Sequence, residues 1–118
     1  MERKRRPLIA VMGNSVVPAG DTRLGLAESL GATLVEAGYR VLCGGREGIM
    51  EAVCRGAKES SETFEGATVA ILPSGRTQDA NPFVDVALAT GIGLSRNSLV
   101  AHADAAIALG GGAGTLSE

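Results

Sequence analysis

The sequence predicts an α/β fold of the Rossmann-like kind: a parallel sheet with helices on both faces, three layers in all. Three observations predict it. Short apolar runs alternate with longer stretches of helical spacing, and the first runs end in glycine or polar turns. The composition is 45% hydrophobic with one Tyr, two Phe, no Trp and 17 glycines, which suits a core of Val, Leu, Ile and Ala with many tight turns. At 118 residues the chain is read as a single domain, 1–118, with a disordered basic arm at 1–6.

Residues 8–12 are apolar throughout, as a strand buried on both faces requires, and Gly13, Asn14 and Ser15 follow at its end. Asp21 or Thr22 can cap the next helix. Over residues 23–37, Leu24, Ala27, Leu30, Leu34 and Val35 recur near helical spacing, and Gly38 is placed to end the turn. Residues 39–43 read as the second strand, running into Gly44-Gly45-Arg46-Glu47-Gly48. Ile49, Met50, Val53 and Ala57 then form one face of a second helix.

Residues 68–72 make the third strand, stopped by Pro73-Ser74-Gly75. Phe83, Val84, Val86 and Leu88 around Asp85 fit a further strand at the sheet's margin, and residues 94–103 a third helix. Residues 105–109 are the fifth strand. Parallel connections of the usual hand give an expected strand order of 3-2-1-4-5.

Charge and cysteine usage exclude several function classes. A net charge of −2 provides no general field for nucleic acid. The apolar run at 8–12 is too short for a signal-peptide core or a membrane span, so the chain is expected to stay in the cytoplasm. Cys43 and Cys54 match no CxxC spacing; they read as small buried residues in a reducing compartment, with no metal site. His102 reads as a packing or capping residue. The turns match neither the GxGxxG of a dinucleotide fold nor a phosphate-binding GxxxxGK[ST] loop, so NAD and P-loop ATP hydrolysis are disfavoured.

The last nine residues, Gly110-Gly111-Gly112-Ala113-Gly114-Thr115-Leu116-Ser117-Glu118, follow an apolar strand and lead into a helix start. Without Cβ atoms, Gly111, Gly112 and Gly114 let the backbone approach a ligand, and first-turn N–H groups favour an anion such as phosphate. Thr115 adds a hydroxyl. Thr115 and Glu118 also have the spacing of a capping box, which is the structural alternative. Arg96 lies in the first turn of the predicted third helix, where a cation opposes the dipole, and this points to an anionic partner.

GGGAGTLSE resembles the GGxGTxxE signature of the Lonely Guy (LOG) proteins and their relatives, the molybdenum-cofactor carriers. CGGREGIMEAVCRGA is similar to their GGGxxGLM segment, and ILPSGRTQDANPFVD resembles the carrier branch. Gly110 stands where LOG enzymes usually have proline, and Asn97 stands where LOG has lysine after the arginine matching Arg96. Both departures favour the carriers.

The resemblance implies a phosphorylated ligand, either molybdenum cofactor or a nucleoside monophosphate, with no cofactor required for the protein itself. Gly13, Asn14, Ser15, Gly44, Gly45, Arg46, Arg96, Gly111, Gly112, Gly114 and Thr115 are the expected contacts. Carrier-like binding is placed ahead. The enzymatic alternative is a phosphoribohydrolase that cleaves the N-glycosidic bond of a nucleoside 5′-monophosphate, with Arg96 and Glu118 as catalytic residues: Glu118 stabilises positive charge on the sugar and orients water. A sensing or structural domain is the third reading. The resemblance also implies a homo-oligomer and a chain that continues beyond Glu118.

Overall fold

A computed structural model describes residues 5–109. Within them the chain runs β1 (Leu8–Gly13), α1 (Thr22–Glu36), β2 (Arg40–Cys43), α2 (Ile49–Glu59), β3 (Thr68–Leu72), a 3-10 turn (Thr77–Asp79), β4 (Val86–Ala89), a second 3-10 turn (Gly93–Arg96), α3 (Asn97–Val100) and β5 (Ala105–Leu109). All four strand pairings are parallel, in the order β4-β3-β2-β1-β5.

The two long helices are set by local chemistry. Asp21 caps α1, its Oδ1 accepting from Arg23 N at 2.9 Å. At the other end Gly38 takes φ +90°, which lets Gly38 N bond Val35 O and Tyr39 N bond Leu34 O, so the last carbonyls are satisfied. In α2, Ile49, Met50, Ala52, Val53, Cys54, Gly56 and Ala57 are all buried, a wide apolar face that only packing against both sheet and helix can use.

The register divides the sheet into two faces. Ile9, Val11, Val41 and Cys43 lie on one face beneath α1 and α2, and with Leu34, Val35, Ile49 and Val53 they form the main core. Burying each large aliphatic side chain there contributes about 1.5–3 kcal/mol before conformational entropy is counted. The two helices meet at glycines: a Cβ on Gly31 would run into the backbone of Val53, and one on Gly56 into that of Glu28. Such an approach leaves room for hydrogen atoms only. Cys43 and Cys54 face each other inside this core with their Sγ atoms 3.6 Å apart and no disulfide between them.

Ala10 and Met12 point to the other face, where Val100 of α3 covers them with Ile71 and Ala103 alongside. This third layer is thin. Val86 and Leu88 of β4 remain 49% and 56% exposed.

Several sequence expectations need correction. β4 lies outside β3, and β5 takes the place beside β1, so the order is not 3-2-1-4-5. The reason is side-chain anchoring at the start of β4. Thr68 Oγ1 donates to Phe83 O and accepts from Asp85 N, while Asp85 Oδ2 accepts from Lys58 Nζ and Gly66 N, so the returning chain is tied to the base of β3. These bonds also hold Phe83 and Val84 out of the strand, and both pack against the main core instead.

The expected helix over 94–103 is a 3-10 turn followed by the single α turn of α3. Gly93 at φ +62° and Ser98, whose hydroxyl bonds back to Ser95 O, break its regularity. The arm is pinned at its described end, where Arg6 donates to Gly38 O at 3.0 Å and lies over the Phe64 ring at 3.9 Å. Residues 1–4 lie outside the described part. Asp104 bridges β1 and β5, its carboxylate accepting from Leu8 N and its own N donating to Leu8 O.

Candidate functional site

Every strand of a parallel sheet presents its carboxyl end to the same edge, and in open α/β sheets ligands bind there. Two of the predicted glycine turns leave from adjacent strands at that edge. Gly13 ends β1, where it packs so closely on Ile49 that a Cβ would fall 2.5 Å from Cγ2 of that side chain. Asn14 O accepts from Ile49 N at 3.0 Å, tying the turn after β1 to the start of α2. Gly48, at φ +67°, sits against the carbonyls of Asn14 and Ser15, so the two turns touch.

Arg96 joins them from the far end of the sequence. Its side chain is buried at 6% exposure, and it crosses to β2: a carbon at the Cβ position of Gly44 would lie 2.5 Å from Nη2 and 2.8 Å from Cζ. Only glycine admits the guanidinium at that spot. Nη1 also donates to Asn97 Oδ1, which orients the group. Arg96 sits in a 3-10 turn rather than in the first turn of a long helix, so the dipole argument for an anionic partner does not apply as expected. The cost of removing this cation from water is met by polar groups of the protein, Asn97 Oδ1 among them.

The structure therefore brings together Gly13, Asn14, Ser15, Gly44, Gly45, Arg46 and Arg96. Gly111, Gly112, Gly114, Thr115 and Glu118 lie outside the described residues. Arg46 is partly exposed, with Nε 3.7 Å from Glu47 Oε2. Among the described residues no group of three His, Cys, Asp or Glu side chains is arranged to hold a metal ion. Nor is any helix there long and apolar enough to cross a membrane.

Asn81 belongs to the neighbourhood and was not expected. Its Nδ2 donates to Gly45 O at 3.3 Å and Arg46 O at 2.9 Å, its main-chain N donates to Gly45 O at 2.8 Å, and its Oδ1 accepts from Phe83 N at 3.0 Å. The Asn-Pro pair in the sequence marks a turn but not the loop to which that turn is fastened.

These features define an open α/β protein with glycine turns and a buried arginine at the carboxyl edge of its sheet. The chain belongs to the SLOG cluster4 family, which it matches over residues 6–118. Among solved structures it is similar to the molybdenum cofactor binding protein from Rippkaea orientalis, at 39% identity and a TM-score of 0.86, covering 98% of this chain and 69% of that one. The molybdenum cofactor carrier protein from Chlamydomonas reinhardtii is 33% identical with a TM-score of 0.81, over 97% and 68% of the two chains. An uncharacterized protein of Archaeoglobus fulgidus is 42% identical over 95 residues, which are 79% of this chain and 59% of that relative's length. The chain thus spans less than two thirds of that relative.

Proposed function

We propose that this protein binds molybdenum cofactor through its phosphate at the carboxyl edge of the sheet, in a carrier role. One observation carries the reading: the Arg96 guanidinium is buried against Gly44, at the carboxyl end of β2. Arg96 and Arg46 balance the phosphate charge, and Asn14 and Ser15 stand at the accessible side of the turn after β1, whereas Gly13, Gly44 and Gly45 are buried and admit Ile49, Arg96 and Ala70 in place of a ligand. Gly111, Gly112, Gly114 and Thr115, which follow β5 in the sequence, are further contacts that this reading expects. Similarity to two molybdenum cofactor proteins at 33–39% identity supports that ligand over a nucleotide.

Carriage needs binding without turnover. A cradle that holds the phosphate while leaving the rest of the ligand untouched meets that need. The partner is a phosphorylated small molecule in the cytoplasm. The half-exposed Val86 and Leu88, with Leu94 at 78%, support association with further copies of the chain.

The test is co-elution. Purified protein mixed with isolated molybdenum cofactor and passed through a desalting column should retain molybdenum and pterin together, and Arg96→Ala should retain neither. Loss of cofactor from the wild-type protein overturns the proposal. Steady release of adenine from AMP would replace carriage by the phosphoribohydrolase reading, in which Glu118 acts with Arg96.

A further inference from the structure

We infer that Asn81 is a positioning residue for the ligand loop after β2, fixing which way the loop's peptide groups face; the inference rests on the binding role proposed above. Asn81 is buried at 8% exposure, with two bonds donated by its Nδ2 and one accepted by its Oδ1. It captures two successive carbonyls, those of Gly45 and Arg46, and is itself held by Phe83 N. Phe83 is in turn part of the core and bonded through its carbonyl to Thr68. The loop is therefore referenced to the sheet through a rigid chain of contacts.

Peptide geometry converts this capture into a statement about donors. The peptide bonds are trans, so each N–H points opposite to the carbonyl of its own peptide unit. The Gly45 carbonyl shares a unit with Arg46 N–H, and the Arg46 carbonyl shares one with Glu47 N–H. Because Asn81 draws both carbonyls to one side, both N–H groups are presented on the other. No hydrogen bond among the described residues uses either of them. Two adjacent amides facing one way are the arrangement that accepts a phosphate oxygen. Asn81 does this without touching the ligand.

Replacing the carboxamide nitrogen by oxygen, in Asn81→Asp, keeps the size and sets an acceptor against two carbonyls. The units then turn, and the donors are lost. Inorganic phosphate is the probe, followed by amide NMR. In the wild-type protein, phosphate should shift the Arg46 and Glu47 amides; in Asn81→Asp those shifts should vanish and phosphate affinity should fall about tenfold or more. Gly31→Ala, which strains the crossing of α1 and α2 and leaves the support of the loop in place, serves as the stability control and should lower the melting temperature while leaving affinity unchanged.

Phosphate shifts that appear elsewhere in the wild-type protein but not at Arg46 and Glu47 overturn the role of Asn81 and leave binding intact. So does an Asn81→Asp protein with wild-type affinity. The wild-type shifts decide the matter even where the variant does not fold. Absence of binding of both phosphate and molybdenum cofactor by the wild-type protein overturns the function itself.

Discussion

The guanidinium of Arg96 rests on the Cα of Gly44, although the two residues are 52 positions apart in the chain. The contact joins the connection after β4 to the end of β2. It also makes a glycine at position 44 a condition for the arginine's location, since a methyl group there would meet Nη2 and Cζ at less than van der Waals distance.

Gly44→Ala should therefore displace the Arg96 side chain. Phosphate or molybdenum cofactor binding, measured by calorimetry, is expected to weaken by about tenfold, the effect of one lost charge-assisted hydrogen bond. Folding should suffer less than binding, because the flexible arginine can move aside while the strand stays in place.

The helix crossing has no such freedom. Gly31→Ala and Gly56→Ala each put a methyl group into backbone of the opposite helix, which cannot yield without moving α1 from α2. Each should cost about 1–3 kcal/mol or more in denaturant unfolding, the range for overpacked cores. Helix propensity alone would argue the opposite way, since alanine is the better helix former by about 1 kcal/mol. The sign of the measured change separates packing from propensity.

Thr68 is fully buried, and its hydroxyl both donates to Phe83 O at 2.6 Å and accepts from Asp85 N at 2.8 Å. Thr68→Val keeps the shape and removes both bonds. A loss of about 1–3 kcal/mol is expected in thermal or denaturant unfolding, the cost of leaving buried polar groups unsatisfied. β4, which those bonds anchor, should show the largest increase in amide exchange.

Asp21 titrates low. Its hydrogen bonds from the Arg23 side chain and main-chain N hold the carboxyl at about 2, against an ordinary 3.8. The folded chain keeps this carboxylate ionised where the unfolded chain would protonate it. The stabilisation is therefore complete above pH 3.8 and disappears as pH falls through about 2. NMR titration should show a midpoint near the lower value, and Asp21→Asn should flatten the pH dependence of unfolding across that interval.

The first three strands, the fifth strand and α1 were legible in the sequence because each is specified by its own residues. An all-apolar run at 8–12 can only be a buried strand here, and Asp21 and Gly38 mark the ends of α1 through bonds made within a few positions. The glycine turns after β1 and β2 were legible as turns at one edge of the sheet for the same reason: glycine marks a turn by its own backbone freedom.

Strand order, the broken third helix and the clamp at Asn81 were decided in space. Whether β4 lies beside β1 or beyond β3 depends on Thr68, Lys58 and Gly66 holding Asp85 and Phe83, and no local pattern records which distant backbone a hydroxyl or carboxylate will meet. Periodicity reports which face of an element is apolar. It does not report what that face, or a buried amide, will find opposite it once the chain has closed.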